Sequence, residues 1–243
     1  MISQGEISQL HCAKAEQQWI DQHLAAGFAH PALALIDYRQ PAVIYGRRGG
    51  DCSTSRARAA ALDYDVQQRR SGGGAVLAGP WMLGVNLLLP DEHPLAQLSH
   101  VEVFRWFGRC WRQALAEFDI HLDLAAPDDF RRHQALQDEN TLDWVCFAGI
   151  SHGELLDDAG RKVLGLAQYR GSWGALLSAG LLIGQTPWEQ LEFIHGGQRP
   201  ERSAMHQLTA AIAHPQPQTI RGPLQESLIG HLQDALNPRS GAA

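Results

Sequence analysis

The chain has 243 residues, of which 44% are hydrophobic, and a formal net charge of −6 at pH 7. This length and apolar fraction suit one globular α/β domain, or one domain with a small appendage, around a large buried core. The acidic balance disfavours nucleic acid as a partner, because nucleic-acid affinity depends on basic surface.

Targeting and metal signals are absent from the sequence. No apolar run approaches the roughly 20 residues that span a bilayer, and the first residues lack the pattern of a signal peptide, which predicts a cytoplasmic protein without a membrane partner. The four cysteines form no C-x-x-C pair, so neither a zinc site nor a disulfide framework is predicted. The twelve histidines show no metal-ligand spacing.

The first half of the chain is predicted to mix short strands with helices. Helical spacing of apolar residues indicates helices, and alternating or β-branched runs indicate strands. The two early strands, separated by Gln40-Pro41, would pair as a hairpin. The predicted elements are a helix over 8–26, strands over 32–38 and 42–46, a helix over 54–62, and strands over 65–69, 75–77 and 83–89.

The second half begins with the clearest helical pattern and ends in helices. The predicted elements are a helix over 102–118, a strand over 119–124, a mobile polar loop over 126–140, strands over 144–147, 154–156, 161–168 and 175–184, and two or three helices after 187 that end with one over 224–236. We therefore expect an α/β (α+β) protein with a mixed, largely antiparallel central sheet flanked by helices. Residues 1–186 would form the catalytic domain, and 187–243 a helical extension packed on it.

Lys162 is unusual because only it and Lys14 are lysines among the twenty basic residues. It lies in an apolar run over 161–168, where a compact ammonium offers chemistry that a planar guanidinium does not. The alternative is a strand-end lysine that packs its stem on the core and extends its charge into water.

A glycine-rich segment over 69–76, Arg-Arg-Ser-Gly-Gly-Gly-Ala-Val, is the second candidate. Consecutive glycines let the backbone approach a ligand closely and direct N–H groups at an anion, and the arginines and serine would add charge-assisted hydrogen bonds. The segment has neither P-loop nor Rossmann spacing. A plain glycine-rich hairpin is the alternative.

Cys146 precedes Phe147 in a predicted strand upstream of Lys162. A nearby ammonium would favour the thiolate form of this cysteine, which would make it a candidate nucleophile for acyl transfer. A small buried hydrophobe is the alternative interpretation.

These segments together resemble one family, the lipoate and biotin protein ligases with the octanoyl and lipoyl transferases. The likeness covers roughly residues 41–184. It is carried by segment 69–76, by segment 160–163 (Gly-Arg-Lys-Val), and by the small and apolar residues of 174–183. Between the last two segments the matching residues are Gly165, Ala167, Gln168 and Arg170.

The resemblance implies a biotin/lipoate ligase catalytic fold and a set of site residues. Lys162 would contact the acyl carbonyl and stabilise charge on its oxygen, and Cys146, eight residues before Glu154, resembles the thiol of cysteine-dependent octanoyltransferases. The glycine-rich segment and Lys162 would lie around one acyl tunnel. The implied substrate-binding residues are Arg70, Ser71, Gly72, Gly73, Gly74, Ala75, Val76, Asn86, Gly165, Ala167 and Gln168.

The implied activity is transfer of an octanoyl or lipoyl group to a lysine of a lipoyl carrier domain or a glycine cleavage H-type protein. The preferred route is a Cys146 thioester formed from an acyl carrier protein without a cofactor. Alternatives are an ATP- and magnesium-dependent lipoate ligase, and a non-catalytic acyl- or carrier-binding protein. Many ligases carry a His-Asp pair where this chain has Ala78-Gly79, which favours the transferase.

Overall fold

The computed structural model of the chain describes residues 7–47, 49, 53–198, 200–216 and 219–236. These ranges contain ten strands and eight helices. The strands are β1 Ile7–Leu10, β2 Ala32–Asp37, β3 Ala42–Tyr45, β4 Asp65–Gln68, β5 Val76–Ala78, β6 Met82–Pro90, β7 Asp123–Leu124, β8 Leu155–Leu156, β9 Lys162–Gly171 and β10 Gly174–Leu182. The helices are α1 Ala13–Ala26, α2 Ser53–Ala61, α3 Pro94–Gln97, α4 His100–Ala116, α5 Pro127–Glu139, α6 Trp188–Gly196, α7 Met205–Leu208 and α8 Arg221–Leu236.

The larger sheet has seven strands in the order β1-β2-β6-β10-β9-β8-β7. β1 and β2 pair in parallel, and the other neighbouring pairs are antiparallel. β9 and β10 form a long hairpin, and β10 pairs with β6 on its other edge. The predicted mixed, largely antiparallel sheet with flanking helices is therefore confirmed.

The smaller sheet has three strands in the order β4-β3-β5. β3 pairs in parallel with β4 and antiparallel with β5. The predicted hairpin of β2 with β3 is wrong, because β2 lies inside the larger sheet between β1 and β6 and has no free edge for β3. Both strands are fully or almost fully buried, which explains why the sequence pattern did not distinguish their sheets.

Each face of the larger sheet has its own hydrophobic core, as the alternation of side chains along strands requires. On one face, Leu35 and Leu87 pack with Phe107 of α4 and Leu228 of α8. On the opposite face, apolar residues of β2, β6 and β10 pack with α1, the smaller sheet and α6. This second face holds the candidate site.

The sequence signals for α4 are fulfilled in the structure. Ser99 and Glu102 form a reciprocal capping box at its N-terminus. The helical stripe of Val103, Phe107 and Trp111 is fully buried, as expected for a helix that covers a sheet face. The predicted helix over 102–118 is therefore confirmed within two residues at each end.

The predicted mobile loop over 126–140 is wrong, because this segment contains α5. Pro127 occupies the first turn, and the Asp129 carboxylate accepts the N–H of Ala126 at 2.9 Å. His133 is the buried residue of this helix, and its ring nitrogens contact the carbonyl oxygens of Ala148 and Gly160. A mostly exposed helix has too few apolar residues to show a helical stripe.

Three other predicted elements need correction. The opening helix begins at Ala13, because residues 7–10 pair with β2 as a strand. The predicted strand over 119–124 is limited to the two residues of β7. Segment 144–147 is not a strand, because its β pairing in the described structure is limited to an isolated bridge between Ala75 and Val145.

The helices predicted after residue 187 are confirmed as α6, α7 and α8. α8 packs on α4, and its Leu224, Leu228 and Leu232 belong to the core on that face. The division after residue 186 stays a prediction. Among the described residues, no helix has both the length and the apolar character needed to cross a membrane.

We predict opposite effects of the same substitution at two helical glycines. A Cβ at Gly108 in α4 would lie 1.9 Å from the Gly153 carbonyl oxygen, whereas Gly230 in α8 has no heavy atom within 4 Å of that position. Gly108→Ala should therefore lower the free energy of unfolding by about 1–3 kcal/mol, and Gly230→Ala should raise it by about 0.5–1 kcal/mol. Urea denaturation measures both; equal effects would contradict the close packing at Gly108.

Candidate active site

A partly open cavity lies between the second face of the larger sheet, α1 and the smaller sheet. Six of the predicted site residues line it: Arg70, Ser71, Val76, Cys146, Gly165 and Ala167. Its apolar wall includes Ile20, Ile44, Met82, Phe147 and Leu176. Segments 69–76 and 161–168 therefore both contribute residues to one largely apolar cavity, although Gly72, Gly73, Gly74 and Lys162, which the acyl-tunnel prediction placed around it, are not among its lining residues.

Small residues form the floor of the cavity. Gly165 on β9 lies directly opposite Gly180 on β10, which lies opposite Gly84 on β6. A Cβ at Gly165 would come within 2.8 Å of the Phe147 ring, and one at Gly180 would lie 3.0 Å from the sulfur of Met82. Gly165 and Gly180 line the cavity and leave room there for the Phe147 ring, whereas the Tyr38 ring covers Gly84.

The glycine bend, Gly72 to Gly74, is joined to the segment that carries Cys146. Ala75 donates its N–H to the Trp144 carbonyl at 2.7 Å, and Cys146 donates its N–H to the Ala75 carbonyl at 2.9 Å. A Cβ at Gly74 would lie 2.1 Å from the Trp144 oxygen. Glycine is required there because the two backbones touch.

Cys146 is a free, half-buried thiol at the junction of the bend and the cavity. Its Sγ lies 3.3 Å from Nη2 of Arg69, which also donates to the carbonyl oxygens of Gly72 and Gly74. The predicted residue, Arg70, lines the cavity, but its guanidinium is half-exposed and forms an ion pair with Asp21 at 2.7 Å. The arginine at the thiol is therefore Arg69, whereas the resemblance singled out its neighbour Arg70 as the substrate-binding residue.

Lys162 is buried in an ion pair with Glu154 at 2.8 Å, with both side chains 2% exposed. Its ammonium also donates to the carbonyl oxygens of Gly149 and Cys146, at 2.9 and 3.3 Å, and lies 4.9 Å from the Phe147 ring centre. Lys162 is adjacent to the cavity wall but is not among its lining residues. Contact with an acyl carbonyl would require the ammonium to exchange one of these acceptors.

Glu154 is a central residue of this arrangement, although the sequence analysis used only its eight-residue separation from Cys146. Its carboxylate accepts the N–H groups of Ser151 and Leu166, at 2.7 and 2.8 Å, in addition to the ammonium of Lys162. The buried pair therefore fastens the segment after Cys146 to β9.

A second buried carboxyl, Glu16 of α1, lines the cavity and was also missed. It accepts hydrogen bonds from Tyr38 and from Asn86, each at 2.8 Å. Burial raises the pKa of Glu16 above its ordinary value, against the opposing effects of these two hydrogen bonds and of Arg69. Oδ1 of Asn86 is buried without a partner in the described part of the chain.

Several predicted substrate-binding residues are not among those that line the cavity. Gly73, Gly74 and Ala75 border a neighbouring hollow beside Trp144. Asn86 binds Glu16 instead. Gln168, with its amide turned to satisfy both atoms, donates to His100 Nδ1 at 2.8 Å. Gly72 contributes its carbonyl to Arg69.

The family emerges from comparison with known proteins. The sequence model of the lipoyl protein ligase A/B catalytic domain matches residues 11–212. The chain belongs to this family. It is thus an enzyme of the ligase or transferase class, and the matched family supports lipoyl attachment to protein as its general chemistry. The match includes Arg69, Cys146 and Lys162, and it extends beyond the predicted boundary at residue 186.

Solved structures show the same fold at low sequence identity. A bi-partite lipoate protein ligase from Thermoplasma acidophilum superposes with a TM-score of 0.62 at 13% identity, over 96% of this chain and 84% of that one. A lipoate-protein ligase A bound with ATP gives 0.61 at 13%, over 95% and 85%. A biotin protein ligase from Aquifex aeolicus gives 0.50 at 11%, over 95% and 68%. A comparison with curated protein sequences gives no match.

The buried pair should behave as a coupled unit in unfolding experiments. Lys162→Met leaves Glu154 buried and unpaired, which should cost about 3–5 kcal/mol of unfolding free energy. The double variant Lys162→Met, Glu154→Gln should lose clearly less than the sum of the two single losses. A chemical denaturation cycle measures this coupling, and additive losses would show that the ion pair does not fasten the segment.

Glu16 should make stability depend on pH. Because its folded-state pKa is raised, the stability it contributes is present at low pH and is lost as pH rises through that value. Glu16→Gln cannot titrate, and its amide could donate to the unpartnered Asn86 oxygen. We expect Glu16→Gln to gain about 1–2 kcal/mol over wild type at pH 8 and less at pH 4.

Thermal unfolding at several pH values tests this expectation. The exposed Glu92→Gln is the control, because it removes the same charge from the surface. A Glu16→Gln advantage that is independent of pH, or that is matched by the control, would contradict burial as the cause of the raised pKa.

Proposed function

We propose that the chain transfers an octanoyl or lipoyl group to the ε-amine of a lysine on a lipoyl carrier domain, through a thioester on Cys146. The proposal builds on the family match, which supports lipoyl attachment in general. The family match does not specify how the acyl group is carried, so the thioester on Cys146 is proposed from the residues of this chain.

The single observation that carries the route is the position of the Cys146 thiol. It lines the largely apolar cavity at the glycine bend and lies beside the guanidinium of Arg69. A cation near sulfur favours the thiolate, which is the nucleophilic form. A cysteine that served only as a small hydrophobe would be expected against apolar neighbours, as Cys110 is: burial raises the pKa of its thiol to about 12.

The proposed reaction has two balanced steps. In the first, the Cys146 thiolate attacks the thioester carbon of an acylated carrier protein; a new sulfur–carbon bond forms, and the donor sulfur leaves as a thiolate. In the second, the neutral amine of the acceptor lysine attacks the enzyme thioester. The amide bond forms, the amine loses a proton to solvent or to the departing thiolate, and Cys146 is regenerated.

The remaining site residues have supporting roles in this proposal. Gly165 and Ala167 provide the open floor on which the acyl chain would lie, and Val76 and Ser71 line the same chamber. The Lys162 ammonium holds the Cys146 backbone by donating a hydrogen bond to the Cys146 carbonyl oxygen. When the acyl group binds, the ammonium would release the Cys146 carbonyl oxygen and donate to the acyl oxygen instead. It would then stabilise the negative charge that develops on the acyl oxygen.

An ATP-dependent lipoate ligase is the second candidate, favoured by the fold shared with a lipoate-protein ligase A bound with ATP. The hollow beside Gly73, Gly74 and Trp144 would be the space for an adenylate. The described residues contain no group of three or more side chains suited to hold a metal ion. Magnesium would then be carried mainly by the nucleotide phosphates. Membership of an enzyme family weighs against the non-catalytic alternative.

The proposed acceptor is a lipoyl carrier domain. The support is the fold shared with a ligase that was described together with its E2 lipoyl domain. A glycine cleavage H-type protein as acceptor, an acyl carrier protein as donor and a cytoplasmic location stay predictions from the sequence.

Mass spectrometry of the intact protein tests the route. After mixing with octanoylated acyl carrier protein and no ATP, we expect a mass gain of one octanoyl group that peptide mapping places on Cys146. Cys146→Ser should lose both the adduct and transfer to a lipoyl domain. Cys110→Ser is the matched control, since that thiol is buried away from the cavity.

Two outcomes would overturn the thioester route. Transfer by Cys146→Ser at the wild-type rate would remove the cysteine from the chemistry. Modification of the acceptor only when ATP and free lipoate are supplied, with Cys146 unmodified, would establish the ligase candidate instead.

A further inference from the structure

We infer that Arg69 is the positioning residue that holds the Cys146 thiolate against the glycine bend. The inference rests on the thioester route proposed above and names the cation on which that route depends. Sequence reasoning assigned this task to an ammonium near the cysteine, with Lys162 as the obvious donor.

The contact geometry fixes the guanidinium in place. Nη2 of Arg69 lies 3.3 Å from Cys146 Sγ and donates to the carbonyl oxygens of Gly72 and Gly74 at 3.0 and 3.1 Å. A Cβ at Gly73 would lie 2.9 Å from this nitrogen and 3.5 Å from the sulfur. The bend therefore both anchors the cation and leaves space for its contact with the thiol.

Lys162 performs a different task on the same residue. Its ammonium contacts the Cys146 carbonyl oxygen, not the sulfur, and its charge is balanced by Glu154. Arg70 is held at the surface by Asp21. Of the cations near Cys146 in the described part of the chain, Arg69 is thus the one whose guanidinium contacts the sulfur.

Glu16, Tyr38 and Arg70 are the other titratable groups that line this cavity, and Arg70 is paired with Asp21. Burial raises the pKa of Glu16, against the opposing effects of its hydrogen bonds with Asn86 and Tyr38 and of the charge of Arg69. Burial and Glu16 raise the pKa of Tyr38 well above its usual value, so the phenol stays neutral. Arg69 is the group whose charged end contacts the sulfur, at 3.3 Å from Nη2 to Sγ.

Arg69 would act in both steps of the reaction. Before the first step it stabilises the thiolate that attacks the donor. In the second step the sulfur leaves from the enzyme thioester as a thiolate, and the same guanidinium is already in place to receive that charge. The bond changes are those given above, and Arg69 itself exchanges no proton.

Alkylation of Cys146 by iodoacetamide tests the inference without any acyl donor. Peptide-level mass spectrometry follows Cys146 apart from the other cysteines, in the full chain. At pH 7 we expect Arg69→Gln to react about threefold to tenfold more slowly than wild type, since a lower thiolate fraction outweighs the higher intrinsic nucleophilicity of each thiolate. The pH at which the rate reaches half of its plateau should move upward.

Two further variants separate charge from structure. Arg69→Lys keeps a cation without the planar fork and should give a rate between those of wild type and Arg69→Gln. Arg112→Gln removes the same charge from an exposed position of α4 outside the cavity and should change the alkylation rate less than twofold. Circular dichroism establishes that each variant is folded, and Arg69→Met replaces Arg69→Gln if that variant is not.

The outcomes separate this inference from the proposed function. Wild-type alkylation rates in folded Arg69→Gln, or equal losses in Arg69→Lys and Arg69→Gln, would overturn the role of Arg69 even if Cys146 becomes acylated. Slower alkylation in Arg69→Gln together with no acylation of wild-type Cys146 by any carrier would support the Arg69 contact and reject the thioester route.

Discussion

The buried ion pair between Lys162 and Glu154 is the interaction on which the site depends. Glu154 binds two backbone N–H groups, and Lys162 binds two backbone carbonyls, so the pair satisfies four main-chain groups as well as its own charges. A charge pair removed from water is tolerated only when its remaining hydrogen-bonding capacity is met. Here that requirement fixes the path of the chain from Cys146 to β9.

Around this anchor the molecule places two backbones unusually close to each other. The glycine bend lies against segment 144–146, and Gly165 on β9 with Gly180 on β10 leaves space on the sheet surface beneath Phe147. The first contact sets a thiol and a guanidinium at the mouth of the cavity. The second provides the open floor along which an acyl chain would extend. Local conformation, packing and proposed chemistry therefore share the same few glycines.

Sequence reasoning recovered the parts that are encoded in local composition. The glycine segment, the lysine run, the antiparallel strands and α4 were predictable, because each has a periodic or turn-forming signature. Arg69 was confused with Arg70 because both residues follow the end of β4 at Gln68. Beyond the last paired residue of a strand, the alternation of side chains no longer determines which one faces inward. Glu16 looked like an ordinary helical carboxylate, and its burial beside Tyr38 and Asn86 depends on contacts between residues distant in sequence. α5 was missed because it is mostly solvent-exposed.

A crystal structure of the protein after reaction with octanoylated carrier protein tests the central claim most directly. The account predicts continuous electron density from Cys146 Sγ into the cavity, over Gly165 and Gly180, with Arg69 retained beside the sulfur. An unmodified thiol, with the acyl group bound instead in the hollow beside Gly74 and Trp144 or outside the cavity, would contradict it.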